Sequence, residues 1–232
     1  MKNKKKVCVD CGGIKPIAHV KCKNGITELV FIIDRSGSMA GFEADTIGGF
    51  NSTIEKQKEQ DGKVYVSTVL FDDSSEVIHD RVDIEKVKPM TRSDYEVRGY
   101  TALYDAIGGA IHHIGNVHKY ARPEDVPEHT VFVITTDGME NASHRYSAEE
   151  IKKKIKRQTE RHGWEFIFLA ANIDAVQAAA DMGIRRERAA NYRQTNEGVE
   201  RSYYAMCEAI TTVRNCCADE MDLEKYLGED EK

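Results

Sequence analysis

Three short, largely apolar runs punctuate the chain at residues 29–33, 130–135 and 164–170. Runs of this length that are rich in β-branched and aromatic residues are typical of strands buried on both faces of a parallel sheet. Segments between and after them, most clearly 101–117 and 199–217, carry apolar residues at three- and four-residue steps, which is the pattern of an amphipathic helix. Strands that alternate with helices predict an α/β fold, a doubly wound, mostly parallel sheet with helices on both faces in a Rossmann-like arrangement.

The rest of the sequence predicts the edge of the sheet and the bounds of the helices. Residues 63–71 alternate between apolar and polar positions, and residues 76–82 follow after a short polar turn. The two segments therefore predict a hairpin that adds one antiparallel edge strand to the sheet. A last short strand is predicted at residues 188–192. Helices are predicted at residues 40–60, 101–117, 147–161, 175–182 and 199–217.

The two ends of the chain differ in composition from its middle. With 232 residues, 41% of them hydrophobic, the chain is long enough for one substantial core. We predict an N-terminal extension at residues 1–26, one domain at residues 27–217, and an acidic tail at residues 218–232. We expect the tail to be frayed, because chain ends rich in charge are seldom held by packing.

The N-terminal extension contains half of the chain's six cysteines. Cys8 and Cys11 have the spacing with which one turn presents two thiolates to a zinc ion, and His19 and Cys22 would complete a tetrahedral site. A tail with free thiols is the other interpretation, and both stay open. Cys217 falls on the apolar stripe of the last predicted helix, and Cys207 lies beside it. We expect both to be packing residues.

Net charge narrows the range of partners. The formal charge of -6 argues against nucleic acid as a main partner, because such partners usually require a basic surface. The apolar runs are too short for a secretory signal or a membrane span. We therefore expect a cytoplasmic protein that binds neither nucleic acid nor membrane, with reduced or metal-bound cysteines.

Two of the buried strands lead directly into an aspartate. Asp34 follows the first strand, with Ser36 and Ser38 at alternate positions, and Asp137 follows the second. Thr101 opens the helix between them. Functional groups in such folds gather at the carboxyl ends of the strands. Hydroxyl and carboxylate oxygens without histidine or thiolate suit Mg²⁺, and also Mn²⁺ or Ca²⁺. Helix capping would explain one of these residues in each loop but not the whole set.

This combination resembles the von Willebrand factor type A (vWA) domain with an intact metal-ion-dependent adhesion site, and most resembles the standalone bacterial members of that family. The resemblance covers about residues 27–217. It implies that Ser36 and Ser38 coordinate the metal directly and that Thr101 does so directly or through water. It also implies that Asp34 and Asp137 act largely through water and hydrogen bonds.

The function that the resemblance implies is a divalent-metal-dependent protein-binding module. A partner protein would present an Asp or Glu side chain to the open position on the metal. By analogy with the family, the module would be an adaptor in a cytoplasmic stress-response (tellurite-resistance-like), phage-defence or metal-insertion assembly. Arg35 and Tyr100 flank the predicted ligands, and we expect them to form the rim that selects the partner.

The alternative function is a magnesium-dependent phosphohydrolase of the haloacid dehalogenase type, with Asp34 as its nucleophile. That chemistry uses a second carboxylate two positions later, where this chain has Ser36. The sequence also lacks a G-x-S-x-G elbow, a phosphate-binding P-loop and a dinucleotide fingerprint. We therefore expect that the protein is not an enzyme.

Overall fold

The computed structural model describes residues 25–215 and 218–228, and in this part of the chain six strands form one sheet. The strands are β1 (Ile26–Asp34), β2 (Lys63–Phe71), β3 (Ser75–Asp83), β4 (His129–Thr136), β5 (Glu165–Ala170) and β6 (Ala189–Asn191). Their order in the sheet is β3-β2-β1-β4-β5-β6. All neighbours are parallel except β2 and β3, which pair antiparallel at one edge. The predicted sheet with one antiparallel edge strand is confirmed.

Helices cover both faces of this sheet, also as predicted. They are α1 (Glu43–Lys58), α2 (Leu103–Tyr120), α3 (Ala148–His162), α4 (Ala175–Asp181), α5 (Asn196–Arg214) and α6 (Leu223–Leu227). One apolar core joins α1, α5 and α6 to one face, and the other joins α2, α3 and α4 to the opposite face. Along β1, Phe31 points into the first core and Val30 and Ile32 into the second, because side chains alternate along a strand. A strand covered on both faces needs apolar residues at every position, which explains the continuous run.

The first helix begins at Glu43 rather than at residue 40. Gly37–Met39 forms a turn of 3₁₀ helix, and Gly41 then adopts a positive φ of 94°, which separates this turn from α1. Residues with φ in this region are usually glycine because a Cβ atom is disfavoured there. The predicted serine loop is therefore longer than its sequence pattern suggested.

The prediction of a frayed C-terminal tail is wrong for residues 218–228. Met221, Leu223 and Leu227 are buried in the core beside α5. The buried guanidinium of Arg188 donates hydrogen bonds to the carbonyl oxygens of Met221, at 2.6 Å, and Ala218, at 2.5 Å. These contacts hold the acidic segment in place even though its apolar residues are few.

Several predictions on cysteines fall outside the described residues. These are the zinc ligands Cys8, Cys11, His19 and Cys22, as well as the packing role of Cys217. Cys207 is buried on α5, where the side-chain amide of Gln57 from α1 lies 3.4 Å from its sulfur, so its predicted packing role is confirmed. No helix in the described part of the chain is long and apolar enough to cross a bilayer.

Candidate metal centre

The five residues predicted as metal ligands lie together at the carboxyl edge of the sheet. Asp34 ends β1 and Asp137 follows β4, and these strands pair in parallel with Ile33 opposite Thr135. In this register Asp34 is level with Thr136, and Asp137 follows one residue further along the neighbouring strand. Thr101 comes from a third loop, two positions before α2.

Hydrogen bonds join the hydroxyl groups of these loops into one chain. The Ser38 hydroxyl donates to Asp137 Oδ1 at 2.5 Å, and it lies 3.2 Å from the Ser36 hydroxyl. Thr101 Oγ1 donates to Ser36 Oγ at 3.1 Å. Three hydroxyl oxygens and one carboxylate from three separate loops thus form a chain in which each group lies within hydrogen-bond distance of the next.

Asp34 lies beneath this chain and is fully buried. Its Oδ1 accepts a hydrogen bond from the backbone N–H of Ser36 at 2.7 Å, and its Oδ2 accepts one from the Thr136 hydroxyl at 2.6 Å. The phenol of Tyr95 donates to the carbonyl oxygen of Asp34 at 2.5 Å. Both carboxylate oxygens are therefore engaged, and the position of Asp34 is fixed. Sequence reasoning did not identify Thr136 or Tyr95.

The electrostatics of the two carboxylates indicate a deficit of positive charge. Burial raises the pKa of Asp34 to about 6, although hydrogen bonds from Thr136 and Ser36 act in the opposite direction. Burial also raises the pKa of Asp137. Among the described residues, no lysine or arginine pairs with either carboxylate. Hydrogen bonds already stabilise both buried carboxylates, and a divalent cation would add the positive charge that no described lysine or arginine supplies.

The set of donor atoms fits a hard cation. All five side chains offer oxygen, which Mg²⁺ and Ca²⁺ prefer over nitrogen and sulfur. Within the described residues, no group of three or more His, Cys, Asp or Glu side chains is placed to hold a metal. A metal at this centre would therefore depend on its serine and threonine hydroxyls, and Asp34 and Asp137 would orient them.

A loop after β4 holds Thr101 in place. The backbone N–H of Thr101 donates to Asn141 Oδ1 at 2.9 Å, and Asn141 N donates back to the carbonyl oxygen of Thr101 at 3.0 Å. Glu140 accepts hydrogen bonds from the backbone N–H groups of Tyr104 and Ser143, at 2.9 and 2.7 Å. The start of α2 and the loop that carries Asp137 thus form one unit.

Gln194, which precedes α5, is a further residue that sequence reasoning missed. Its Nε2 donates to Asp137 Oδ2 at 2.6 Å and to the carbonyl oxygen of Ser38 at 3.0 Å. It ties the serine loop to the loop after β4 from the side. A glutamine in a polar stretch carries no pattern that indicates this position, because the contact spans many residues.

The prediction that Arg35 lies on the rim is wrong. Only 2% of the Arg35 side chain is exposed. Its Nε lies 2.9 Å from Asp72 Oδ2 and its Nη1 lies 2.6 Å from Glu76 Oε2. Arg98 Nε also lies 2.9 Å from Asp72 Oδ2. Arg35 therefore points inward and ties the serine loop to the end of β2 and to the loop before α2.

Two large apolar side chains are exposed next to predicted ligands. Tyr100 is 69% exposed and directly precedes Thr101. Met139 is 72% exposed and lies two positions after Asp137. Tyr100 was expected on the rim, whereas Met139 has no sequence pattern that distinguishes it from other loop residues. Their role in binding a partner stays a prediction.

Comparisons with known proteins identify the fold. No protein-family model matches the chain, and no curated protein is a significant match. The vWF domain of the type V pili tip protein Mfa5 from Porphyromonas gingivalis is similar with a TM-score of 0.58 at 9% identity, over 81% of this chain and 95% of that one. A von Willebrand factor type A structure from Catenulispora acidiphila gives 0.52 at 11% identity, over 79% of this chain. The ArnB paralog VWA2 from Sulfolobus acidocaldarius gives 0.50 at 18% identity, over 80% of this chain.

The described chain has the von Willebrand factor type A fold, in agreement with the sequence pattern. It spans less than half the length of the latter two structures, 42% and 45%. At these identities the likeness extends to the fold alone.

Proposed function

We propose that this protein is a divalent-metal-dependent protein-binding module. The observation that carries the proposal is the meeting of Ser36, Ser38 and Thr101 with Asp34 and Asp137 at one edge of the sheet, where three loops contribute only oxygen ligands. The bound ion, Mg²⁺ or alternatively Mn²⁺ or Ca²⁺, would offer an open coordination position to an Asp or Glu of the partner. By analogy with the family that the sequence resembles, we further propose an adaptor role in a cytoplasmic complex.

The chain's own residues have separate tasks in this proposal. The hydroxyls of Ser36, Ser38 and Thr101 bind the ion, and neutral ligands leave it electrophilic enough to attract a carboxylate. Asp137 orients Ser38, and Asp34 orients the serine loop through the Ser36 N–H.

The test is an affinity capture from cell extract with the full chain as bait, in the presence of Mg²⁺ or of EDTA. Partner capture should be lost in EDTA and in Ser36→Ala, because either change removes the bridge between the two proteins. Ser52→Ala, which changes an exposed serine on α1, is the matched control and should capture the same partner as the wild type. The metal-bridge proposal is rejected if mass spectrometry finds the same captured proteins under all of these conditions.

Exposed apolar side chains define the expected surroundings of the partner's carboxylate. Tyr100 and Met139 flank the candidate metal ligands in two loops, so we expect apolar residues next to the partner's Asp or Glu. Replacing both by alanine should weaken binding of the captured partner about tenfold or more while leaving metal affinity unchanged, because buried aromatic and apolar anchors dominate interfaces. Tyr120→Ala removes a tyrosine that is 78% exposed at the far end of α2 and should leave partner affinity unchanged. Calorimetry measures the affinity for the partner. An equal loss of affinity in Tyr120→Ala and in the double variant would contradict a role of Tyr100 and Met139 in partner binding.

Catalysis by Asp34 is not part of this proposal. Both of its carboxylate oxygens accept hydrogen bonds, from Ser36 and Thr136, which leaves it poorly placed as a nucleophile. The position of a second carboxylate is taken by Ser36. Magnesium-dependent phosphatase turnover that disappears in Asp34→Asn would favour the phosphohydrolase instead.

A further inference from the structure

A cavity of about 700 Å³ lies between α2 and α3. Its wall includes Pro127 and Trp164, which lie just before β4 and β5, whereas the candidate metal centre lies at the opposite ends of β1 and β4. The cavity is thus at the other end of the sheet, and nothing in the proposed metal-dependent binding uses it.

The lining of this cavity is basic. Its six basic side chains are His112, His118, Lys119, Lys154, Arg157 and His162. They come from both helices, and no carboxylate is among the described residues that line the cavity. The protein as a whole carries a net charge of -6, so the charge of this lining is opposite in sign to that of the whole chain.

Among the described residues, Lys119, Lys154 and Arg157, the three permanent cations of this lining, form no close ion pair, although Lys154 attracts the Glu150 carboxylate four positions earlier on α3. The amino groups of Lys119 and Lys154 lie over tyrosine rings, at 5.1 and 5.0 Å from the ring centres, and Arg157 makes no ion pair. His118 does face a carboxylate, with its Nε2 3.3 Å from buried Glu28.

Carboxylates on neighbouring turns of α3 are already engaged. Glu150 closes the capping box with Ser147, and Glu160 lies 3.8 Å from the amino group of Lys156. The charge in the cavity is therefore available to a ligand.

The floor of the cavity is apolar, and a glycine lies beside it. Ile111 and Trp164 form this floor, and Gly115 lies in the interior of α2 beside them. A Cβ atom at Gly115 would meet Gln158 and Trp164 at 3.6 and 3.9 Å, ordinary contact distances, so packing within the chain does not require glycine here. By contrast, a Cβ at Gly108 would lie 2.4 Å from the ring of Tyr146. Gly115 costs helix stability, and the missing side chain leaves only the small exposed parts of Ile111 and Trp164, 2% and 4% of each residue, in the cavity lining.

We propose that this cavity binds a small phosphorylated ligand. Its phosphate groups contact Lys119, Lys154 and Arg157, and its apolar or planar part lies against Val126 and the exposed edge of Trp164. The volume lies within the range of roughly 300–1,000 Å³ that is usual for small-molecule sites. The cations line one recess from two helices, which suits a compact anion better than an extended acidic peptide. Arginine and lysine are the usual phosphate ligands.

The experiment uses the full chain in EDTA, so that no divalent metal bridges a phosphate to the candidate metal centre. ADP and pyrophosphate are titrated separately by calorimetry. We expect ADP to bind more tightly than pyrophosphate, because only ADP reaches the apolar floor. The double substitution Lys154→Gln with Arg157→Gln should weaken ADP binding about tenfold or more, since it removes two charge-assisted contacts. Lys156→Gln removes one positive charge from the same helix outside the cavity and should leave ADP affinity unchanged.

Four results would overturn the proposal. They are the absence of ADP binding, pyrophosphate binding as tight as that of ADP, an equal loss of affinity in Lys156→Gln, and binding of a polyglutamate peptide by a chain that does not bind ADP. The last result would assign the cavity to an acidic protein segment. None of them bears on the metal-dependent capture, because the titration contains no metal.

Discussion

Replacing Asp72 by asparagine is expected to lower the free energy of unfolding by roughly 3–5 kcal/mol, the usual cost of breaking a buried ion pair from one side. Asp72 is fully buried and pairs with the equally buried Arg35 at 2.9 Å. The substitution leaves the Arg35 guanidinium buried with only Glu76, whose side chain is 54% exposed, as a charged partner. Chemical denaturation followed by circular dichroism measures the loss.

Asp80→Asn is the matched control for this prediction. It removes the same charge at an exposed position, where the pair with His113 is a surface contact. Such pairs contribute about 1 kcal/mol or less. Equal losses in the two variants would contradict a structural role for the buried pair.

The pH dependence gives a second test of Asp72. Burial by itself would raise the pKa of Asp72, but hydrogen bonds from Ser74 and Arg98 outweigh it and hold the pKa well below its usual range. A carboxyl group whose pKa is lower in the folded state stabilises the protein above its unfolded-state pKa, about 4 for aspartate. This stabilisation is lost as the pH falls below that value. The difference between wild type and Asp72→Asn should therefore be constant near neutral pH and shrink below about pH 4.

Most of the fold could be predicted from the sequence because its strands obey local rules. A strand covered on both faces needs an unbroken apolar run, and the carboxyl ends of parallel strands meet at one edge. These two rules are enough to predict that Asp34 and Asp137 lie together. Thr101 followed from the start of an amphipathic helix between them.

The rest depended on contacts that no local pattern encodes. An arginine in a serine-rich loop has the composition of an exposed residue, and Arg35 is buried only because Asp72 and Glu76 lie about forty positions away in sequence and accept its hydrogen bonds. Gln194 reaches Asp137 across 57 positions. The segment that ends in α6 was missed because its three apolar anchors are sparse in an acidic stretch. In each case a polar partner far along the chain decides the outcome.

Asp34→Asn should separate the metal-binding role of the candidate centre from a purely structural one. Without metal, this variant should be as stable as the wild type or more stable, because Asp34 is buried without a cationic partner and asparagine can still accept the Ser36 hydrogen bond. The Thr136 hydroxyl can reverse its role and accept from the new amide. With Mg²⁺, only the wild type should gain stability. A free ligand at a hundred times its dissociation constant adds about 2.7 kcal/mol to the free energy of unfolding.

The two roles of Asp34 therefore predict opposite results in the same pair of unfolding curves. If Asp34 only supports the serine loop, Asp34→Asn loses stability with and without Mg²⁺ and the wild type does not respond to the ion. If the centre binds metal, the order of stability of the two proteins reverses as Mg²⁺ is added. The wild type gains stability because the metal compensates a buried charge that the variant no longer has. Asp80→Asn, which leaves the centre intact, should gain as much stability from Mg²⁺ as the wild type. A response of Asp34→Asn to Mg²⁺ equal to that of the wild type would exclude this site as the one that binds the ion.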